Sequence, residues 1–130
     1  MDVGQIIGVV AGVLVGIAFL VAGFTKVQAG DDWYRQAADM GVGRIVATPV
    51  PWVELAVGSL TALAVFDPWP PIAAGALLVA FTVLIGLRLR DGSRPPCACF
   101  GSRFDRPLGA GHVVRNLVLL ALTAITIVLR

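Results

Sequence analysis

Long apolar runs alternate with short polar segments along the whole chain. Four runs, at about residues 3–26, 50–66, 69–88 and 108–129, are candidates to cross a bilayer. A hydrocarbon core of about 30 Å requires about 20 apolar residues, since a helix rises about 1.5 Å per residue. The strict alternation of apolar and polar residues that a membrane β-barrel needs does not occur in these runs. The pattern predicts an all-α integral membrane four-helix bundle that forms a single domain over residues 1–130.

The first span carries a stripe of glycines at every fourth position, formed by Gly4, Gly8, Gly12 and Gly16. Such a stripe lets another helix approach the backbone closely. It serves either packing within the bundle or self-association, and we expect packing within the bundle.

The link between the first two spans has a helical pattern of its own. Asp31 or Asp32 can cap a short helix that Gly41 would end. The segment carries Trp33 and Tyr34, and such aromatic residues are enriched where a membrane meets water. We therefore predict a short interfacial helix with a mainly structural role.

Composition also indicates a membrane protein that contacts membrane lipid. Hydrophobic residues make up 58% of the chain and charged residues 14%, whereas soluble domains contain about 45–50% apolar residues. A net charge of +2 gives no basis for nucleic-acid binding. Asp2 stands where a signal peptide has basic residues, and the first apolar run is too long for one, so we expect this run to be retained.

The basic residues are distributed unevenly between the two ends of the spans. The links after the first and third spans contain eight of them, whereas the opposite end has Arg130; the eight are Lys26, Arg35, Arg44, Arg88, Arg90, Arg94, Arg103 and Arg106. Positively charged short loops stay in the cytoplasm. We therefore predict that both links face the cytoplasm of a bacterial plasma membrane, with the termini and the Asp67-Pro68 turn outside.

Both cysteines of the chain, Cys97 and Cys99, lie in the link between spans three and four. An i, i+2 disulfide requires a bent, strained loop, and strained disulfides are the easily reduced kind found in catalytic or regulatory pairs. A static disulfide is disfavoured in the reducing cytoplasm. A cycling dithiol, a metal site, a topology opposite to the charge rule and two isolated thiols all remain open.

Several polar residues fall within or at the ends of the spans, where they are costly without a partner or a function. Lys26 closes the first span, Glu54 lies about one turn inside the second, and Arg115 with Asn116 lies about one turn inside the fourth. We expect Glu54 to pair with Arg115 or Lys26 beneath the cysteine loop. The cluster either fixes helix register or tunes the thiols, because a nearby cation lowers the pKa of a cysteine; the candidate modulators are Arg94, Arg103, Arg115 and His112.

Two longer stretches and the cysteine link together resemble a known family. The run from Phe19 to Lys26 and the run from Pro51 to Gly58 resemble the DoxX-like group of small four-helix membrane proteins. Pro96-Cys97-Ala98-Cys99-Phe100-Gly101, followed by Val114-Arg115-Asn116-Leu117, resembles the methylamine utilisation protein MauE branch of that group. The resemblance implies a membrane component that works with a thioredoxin-like partner in disulfide chemistry of exported proteins, first associated with maturation of methylamine dehydrogenase.

We therefore predict thiol–disulfide exchange at Cys97 and Cys99, with a mixed disulfide as intermediate. A single pair cannot relay electrons between separate stations on the two membrane faces. Either a lipid-soluble quinone meets the pair, although no residue pattern specifies a cofactor, or the cysteine loop re-enters the bundle. The client, the direction of electron flow and the oligomeric state are not specified by the sequence.

Two further classes of function remain open at this stage. A metal site would use Cys97, Cys99 and His112, which supply at most three ligands at a spacing tighter than that of zinc sites. In a structural or assembly subunit the cysteines would be incidental.

Overall fold

The computed structural model of the protein describes residues 2–90 and 110–130. All regular structure in these two ranges is helical, which confirms the all-α prediction. The helices are α1 (Val3–Ala29), α2 (Asp31–Asp39), α3 (Arg44–Ala47), α4 (Val50–Leu63), α5 (Trp69–Arg90) and α6 (Ala110–Leu129). The predicted Cys-x-Cys loop, with Arg94, Cys97, Cys99 and Arg103, lies outside the described residues.

Within these two ranges four helical stretches are long and apolar enough to cross a membrane, and the protein is a multi-pass membrane protein. They are Val3–Ala29, Arg44–Leu63, Trp69–Arg88 and Gly111–Leu129. α1 begins at a capping box, in which the Asp2 carboxylate accepts from the Gln5 backbone amide at 2.8 Å. α4 ends at Leu63 rather than at the predicted Phe66, because Ala64 adopts the left-handed conformation with φ 57°.

α1 packs against α4 and α6, and α5 packs against the same two helices. The order around the bundle is therefore α1, α4, α5, α6. Its centre is an apolar cluster formed by Val15, Phe19, Val57, Ala74 and Leu78.

The glycines of α1 are used for packing within the chain, as the sequence predicts. A Cβ atom at Gly16 would lie 2.6 Å from the Cβ of Ala62 and 2.7 Å from the carbonyl oxygen of Gly58. A Cβ atom at Gly8 would lie 2.7 Å from the backbone nitrogen of Arg130. Glycine thus allows α1 to approach the backbones of α4 and of the last residue after α6.

α2 and α3 fold over the end of the bundle where α1 ends and α4 begins. The indole Nε1 of Trp33 donates to the carbonyl of Ala47 at 2.8 Å, and Arg88 Nε donates to the carbonyl of Met40 at 3.0 Å. Trp33 and Met40 are buried with Ala37, Ala47 and Ile85 in a second apolar cluster. We call α2 and α3 together the cover.

Two details of the cover differ from the sequence-based prediction. The helix cap is Gly30, with φ 57°, and Asp31 and Asp32 lie in the first turn, so the predicted capping by either aspartate is wrong. Trp33 packs inside the protein and is 2% exposed, although its aromatic character alone indicated a surface position. The interfacial placement of α2 stays a prediction.

The other end of the bundle is held by an ion pair between Arg130 and Asp67. Arg130 donates to both carboxylate oxygens of Asp67, at 2.7 and 2.6 Å, and to the carbonyl of Thr61 at 2.6 Å. These contacts join the residue that follows α6 to the turn between α4 and α5. Charged groups therefore lie at both ends of the bundle, with the apolar cluster between them.

Candidate functional site

The most deeply buried charges in the described residues are Lys26 and Glu54. Lys26 lies in the last turn of α1 and Glu54 in the second turn of α4. The Lys26 ammonium donates to Glu54 Oε1 at 3.1 Å and to Oε2 at 3.0 Å, and the two side chains are 0% and 2% exposed. This is one of the two pairings that the sequence predicted for Glu54.

The Lys26 ammonium also lies beside two aromatic rings. Its Nζ atom is 5.3 Å from the centre of the Trp33 ring and 5.4 Å from that of Phe81. Both distances fall within the range of about 6 Å for cation–π attraction. α1 and α4 therefore supply the two charges of the pair, and Trp33 of the cover and Phe81 of α5 enclose the Lys26 ammonium.

A second polar group joins α6 to α5. Asn116 Oδ1 accepts from Arg115 Nε at 3.3 Å and from Nη2 at 3.0 Å. Asn116 Nδ2 donates to Thr82 Oγ1 at 3.2 Å, and this hydroxyl donates to the carbonyl of Leu78 at 2.6 Å. Asn116 is thus satisfied from both sides of its amide although it is 2% exposed.

The two polar groups line one small cavity among the four long helices. Its volume is about 30 Å³, and Glu54, Arg115 and Asn116 form its polar wall. The apolar wall consists of Ala18, Phe19, Ala22, Leu78, Phe81 and Leu119. A cavity needs about 10–15 Å³ on this measure to hold a water molecule. The site therefore has room for water beside a carboxylate, a guanidinium and an amide.

The structure brings together Lys26, Glu54, Arg115 and Asn116, four of the residues predicted to form the site. His112 lies on α6, about one turn before Arg115 and nearer to the cysteine segment, and it is half-buried. No group of three or more His, Cys, Asp or Glu side chains arranged to hold a metal occurs among residues 2–90 and 110–130.

Three residues of the site were not assigned to it from the sequence: Trp33, Phe81 and Thr82. A threonine inside an apolar span was an available signal, because a polar group at that depth needs a partner. Its pairing with Asn116 depends on the register between α5 and α6, which hydropathy does not specify.

Comparisons with known proteins point to one family. The family model described as methylamine utilisation protein MauE matches residues 4–129. A curated relative, the methylamine utilization protein MauE of Paracoccus denitrificans, is 28% identical over 116 residues, which cover 85% of this chain. The match covers 62% of that relative, so the chain spans less than two thirds of its length. No solved structure matches the chain.

Proposed function

The chain belongs to the methylamine utilisation protein MauE family, and we propose that it is a membrane thiol–disulfide redox component. In this role it exchanges electrons with a thioredoxin-like partner during maturation of exported proteins. The family link to methylamine utilisation makes an exported enzyme of that process one candidate client.

The observation that carries the proposal is which two helices the cysteine-containing segment joins. Cys97 and Cys99 are the only cysteines of the chain, and they lie in the segment that joins α5 to α6. The helix ends that receive this segment lie at the end of the bundle that holds the Lys26–Glu54 pair, since Arg88 contacts the cover and Asn116 contacts Thr82. The segment that carries the only thiols of the chain therefore begins and ends at the helix termini near this charged cluster.

The charges of the site suit this chemistry. The thiolate is the attacking form of cysteine, and nearby cations stabilise it. Arg88 and Arg115 add positive charge at this end beyond the Lys26–Glu54 pair, and the cavity beside Glu54 has room for water that accepts or delivers protons. We propose that Lys26, Glu54, Arg115 and Asn116 support the reaction by fixing the helix ends, whereas Cys97 and Cys99 react.

The reaction balances as two successive exchanges. A thiolate of the Cys97 and Cys99 pair attacks the partner's disulfide, a mixed disulfide forms, and the partner's other sulfur leaves as a thiolate. The second cysteine then attacks the mixed disulfide, which leaves an oxidised pair here and a reduced dithiol on the partner. Two electrons pass to the partner and two protons are released from the pair; the reverse sequence oxidises the partner.

Turnover requires a second redox partner, because one pair of cysteines stores two electrons only. A second thiol protein that reaches the same pair, or a lipid-soluble quinone that takes up two electrons and two protons, would complete the cycle. The two routes differ in whether purified protein and quinone alone suffice to reoxidise the pair.

The test uses single serine variants and a purified thioredoxin that lacks its own resolving cysteine. Each serine variant is first converted by dithiobis(nitrobenzoate) to its mixed disulfide with thionitrobenzoate, which the thioredoxin thiolate attacks with release of thionitrobenzoate. We expect one of Cys97→Ser and Cys99→Ser to accumulate a mixed disulfide with this thioredoxin faster than the other, seen as a combined mass that a reductant removes. Ala98→Ser, which keeps both thiols, is the matched control and should react as the wild type does. Thiols that stay unreactive toward alkylating reagents in every glutathione redox buffer would overturn the proposal.

Replacing both cysteines with serine separates the remaining alternatives in cells. Loss of client disulfides supports exchange, whereas loss of bound metal supports coordination. Unchanged client maturation would favour a structural or assembly subunit. The close packing of α1 on α4 is the observation in favour of that role.

A further inference from the structure

Two grooves of the cover share Val42 as a lining residue. One is an apolar cavity of about 160 Å³ between the cover and α5, and its walls include Trp33, Met40, Val46 and Phe81. The other is an open groove of about 470 Å³ on α2 and α3, lined by Asp31, Tyr34, Arg35 and Arg44 among others. Val42 lines both, so the apolar groove and the charged groove adjoin at this residue.

The apolar groove suits a hydrocarbon chain. All of its lining residues are apolar or aromatic, and a polar group placed there would lose its hydrogen bonds to water. Its volume is similar to the cavity of about 150 Å³ that binds benzene in another protein, so several carbons of a chain fit. It opens sideways, since Val46 is 59% exposed and Ala80 is also exposed.

The charged groove suits a phosphate. The Arg44 guanidinium carbon lies 4.1 Å from the centre of the Tyr34 ring. Stacking uses the face of the guanidinium and leaves its N–H donors in the plane, where they match the oxygens of a phosphate. Arg35 also lines the groove and pairs with Asp32. Asp31 lines it as well and suits the ammonium of a zwitterionic headgroup.

The two grooves also lie in the order that a membrane lipid requires. Arg44 begins the stretch Arg44–Leu63 that is apolar enough to cross the membrane, and phosphate groups lie at the ends of such spans. Ile45, directly after Arg44, is 92% exposed, as expected for a side chain that faces lipid. The apolar groove continues from this level toward Val50 and Leu77, farther along the spans.

We propose that the cover binds one phospholipid molecule, with its phosphate on Arg44 and one acyl chain in the groove against Trp33 and Phe81. This site does not depend on the proposed redox function. Because Trp33 and Phe81 also flank the Lys26 ammonium, the bound chain packs on the residues that shield the buried ion pair.

The test is native mass spectrometry of the full chain in an uncharged detergent, titrated with phosphatidylethanolamine, phosphatidylglycerol or an uncharged diacylglycerol. We expect one phospholipid to be retained per chain, and both phospholipids to bind more tightly than diacylglycerol. Ala80→Phe, which fills the apolar groove, and Arg44→Gln, which removes the charged hydrogen bonds, should each weaken binding by about tenfold or more.

Matched variants control for general effects on lipid association. Ala76→Phe places the same ring on the exposed side of α5 outside the groove, and Arg90→Gln removes an exposed arginine elsewhere at this end. Both should bind as the wild type does. Equal weakening in the groove and control variants, absence of a single retained lipid, or diacylglycerol binding as tightly as the phospholipids would overturn the proposal. A difference between the two phospholipids would show whether Asp31 contributes to headgroup choice.

Discussion

Lys26 and Glu54 show how a single pair of residues can specify the arrangement of two helices. Both side chains are almost fully excluded from solvent, and each ionised group is compensated by the other. In such a pair the cost of desolvation is comparable to the electrostatic gain, so its net contribution to stability is small. Loss of one partner is costly, because it leaves a buried charge alone. The pair therefore selects the register in which α1 and α4 bring the two groups together.

We expect Glu54→Gln to lower the free energy of unfolding by about 3–5 kcal/mol, because it leaves the Lys26 ammonium without a buried counter-charge. The measurement is denaturation in detergent followed by circular dichroism. Adding Lys26→Met to this variant should restore much of the loss. Asp32→Asn is the control: it removes an exposed pair with Arg35, and such pairs contribute about 0–1 kcal/mol. Normal stability and normal thiol reactivity in Glu54→Gln would remove the proposed role of the cluster.

We expect Thr82→Val to destabilise the protein by about 0.5–1.5 kcal/mol, since polar contacts between membrane helices average about 0.6 kcal/mol and reach about 1.7. The substitution removes the acceptor of the Asn116 amide at nearly constant shape. Thr123→Val is the matched control, because the Thr123 hydroxyl donates within its own helix to the carbonyl of Leu119. A double-mutant cycle with Asn116→Leu measures the coupling. A coupling energy near zero would show that this contact does not join α5 to α6.

At the scale of the helices, close packing of α1 on α4 sets where the charged residues meet. Gly16 lies against the carbonyl of Gly58, and Gly23 lies against the carbonyl of Pro51. These two contacts hold α1 and α4 close together along this stretch. Lys26, which follows Gly23 by about one turn of α1, can therefore reach Glu54 on α4. The glycines therefore act on the site through helix distance.

We expect Gly16→Ala to cost about 1–3 kcal/mol, because the added methyl would overlap Ala62 and the Gly58 carbonyl and force the helices apart. Gly86→Ala is the control: nothing lies within 4 Å of a Cβ at Gly86, so alanine should be neutral or stabilising by about 1 kcal/mol. Denaturation midpoints in the same detergent compare the two. Equal stability would mean that α1 and α4 adjust without cost.

The sequence predicts the elements better than the contacts between them. Hydropathy locates four spans, but α4 ends before Val65 and Phe66 because the backbone turns left-handed at Ala64, which apolar character does not reveal. Trp33 fits a membrane surface or a protein interior equally well by residue type. Its burial follows from the hydrogen bond to Ala47, which exists only once α3 has folded back. Costly charges at membrane depth were the stronger signal, since they predicted that Glu54 pairs with either Lys26 or Arg115, and the structure shows Lys26.

For the molecule as a whole, charge is divided between two ends of different character. The end that holds the cover and the helix termini leading to Cys97 and Cys99 is rich in basic residues, whereas the opposite end has the Arg130–Asp67 pair. From the positive-inside rule we therefore predict that the cover and the segment carrying the cysteines face the cytoplasm. There a disulfide does not persist without turnover, because the compartment is reducing.

We expect a membrane-impermeant maleimide to label Cys97 and Cys99 in inverted vesicles and not in intact spheroplasts. In a background with both cysteines replaced by serine, Ala38→Cys on the exposed side of α2 should be labelled from the same side as the native thiols. Val65→Cys, in the turn at the opposite end, should be labelled from outside. The reverse pattern at all three positions would place the thiols in an oxidising compartment. In that case the cysteine pair would exchange electrons outside the cytoplasm. The basic residues of the cover would then serve the proposed phospholipid binding and would not determine the orientation of the protein in the membrane.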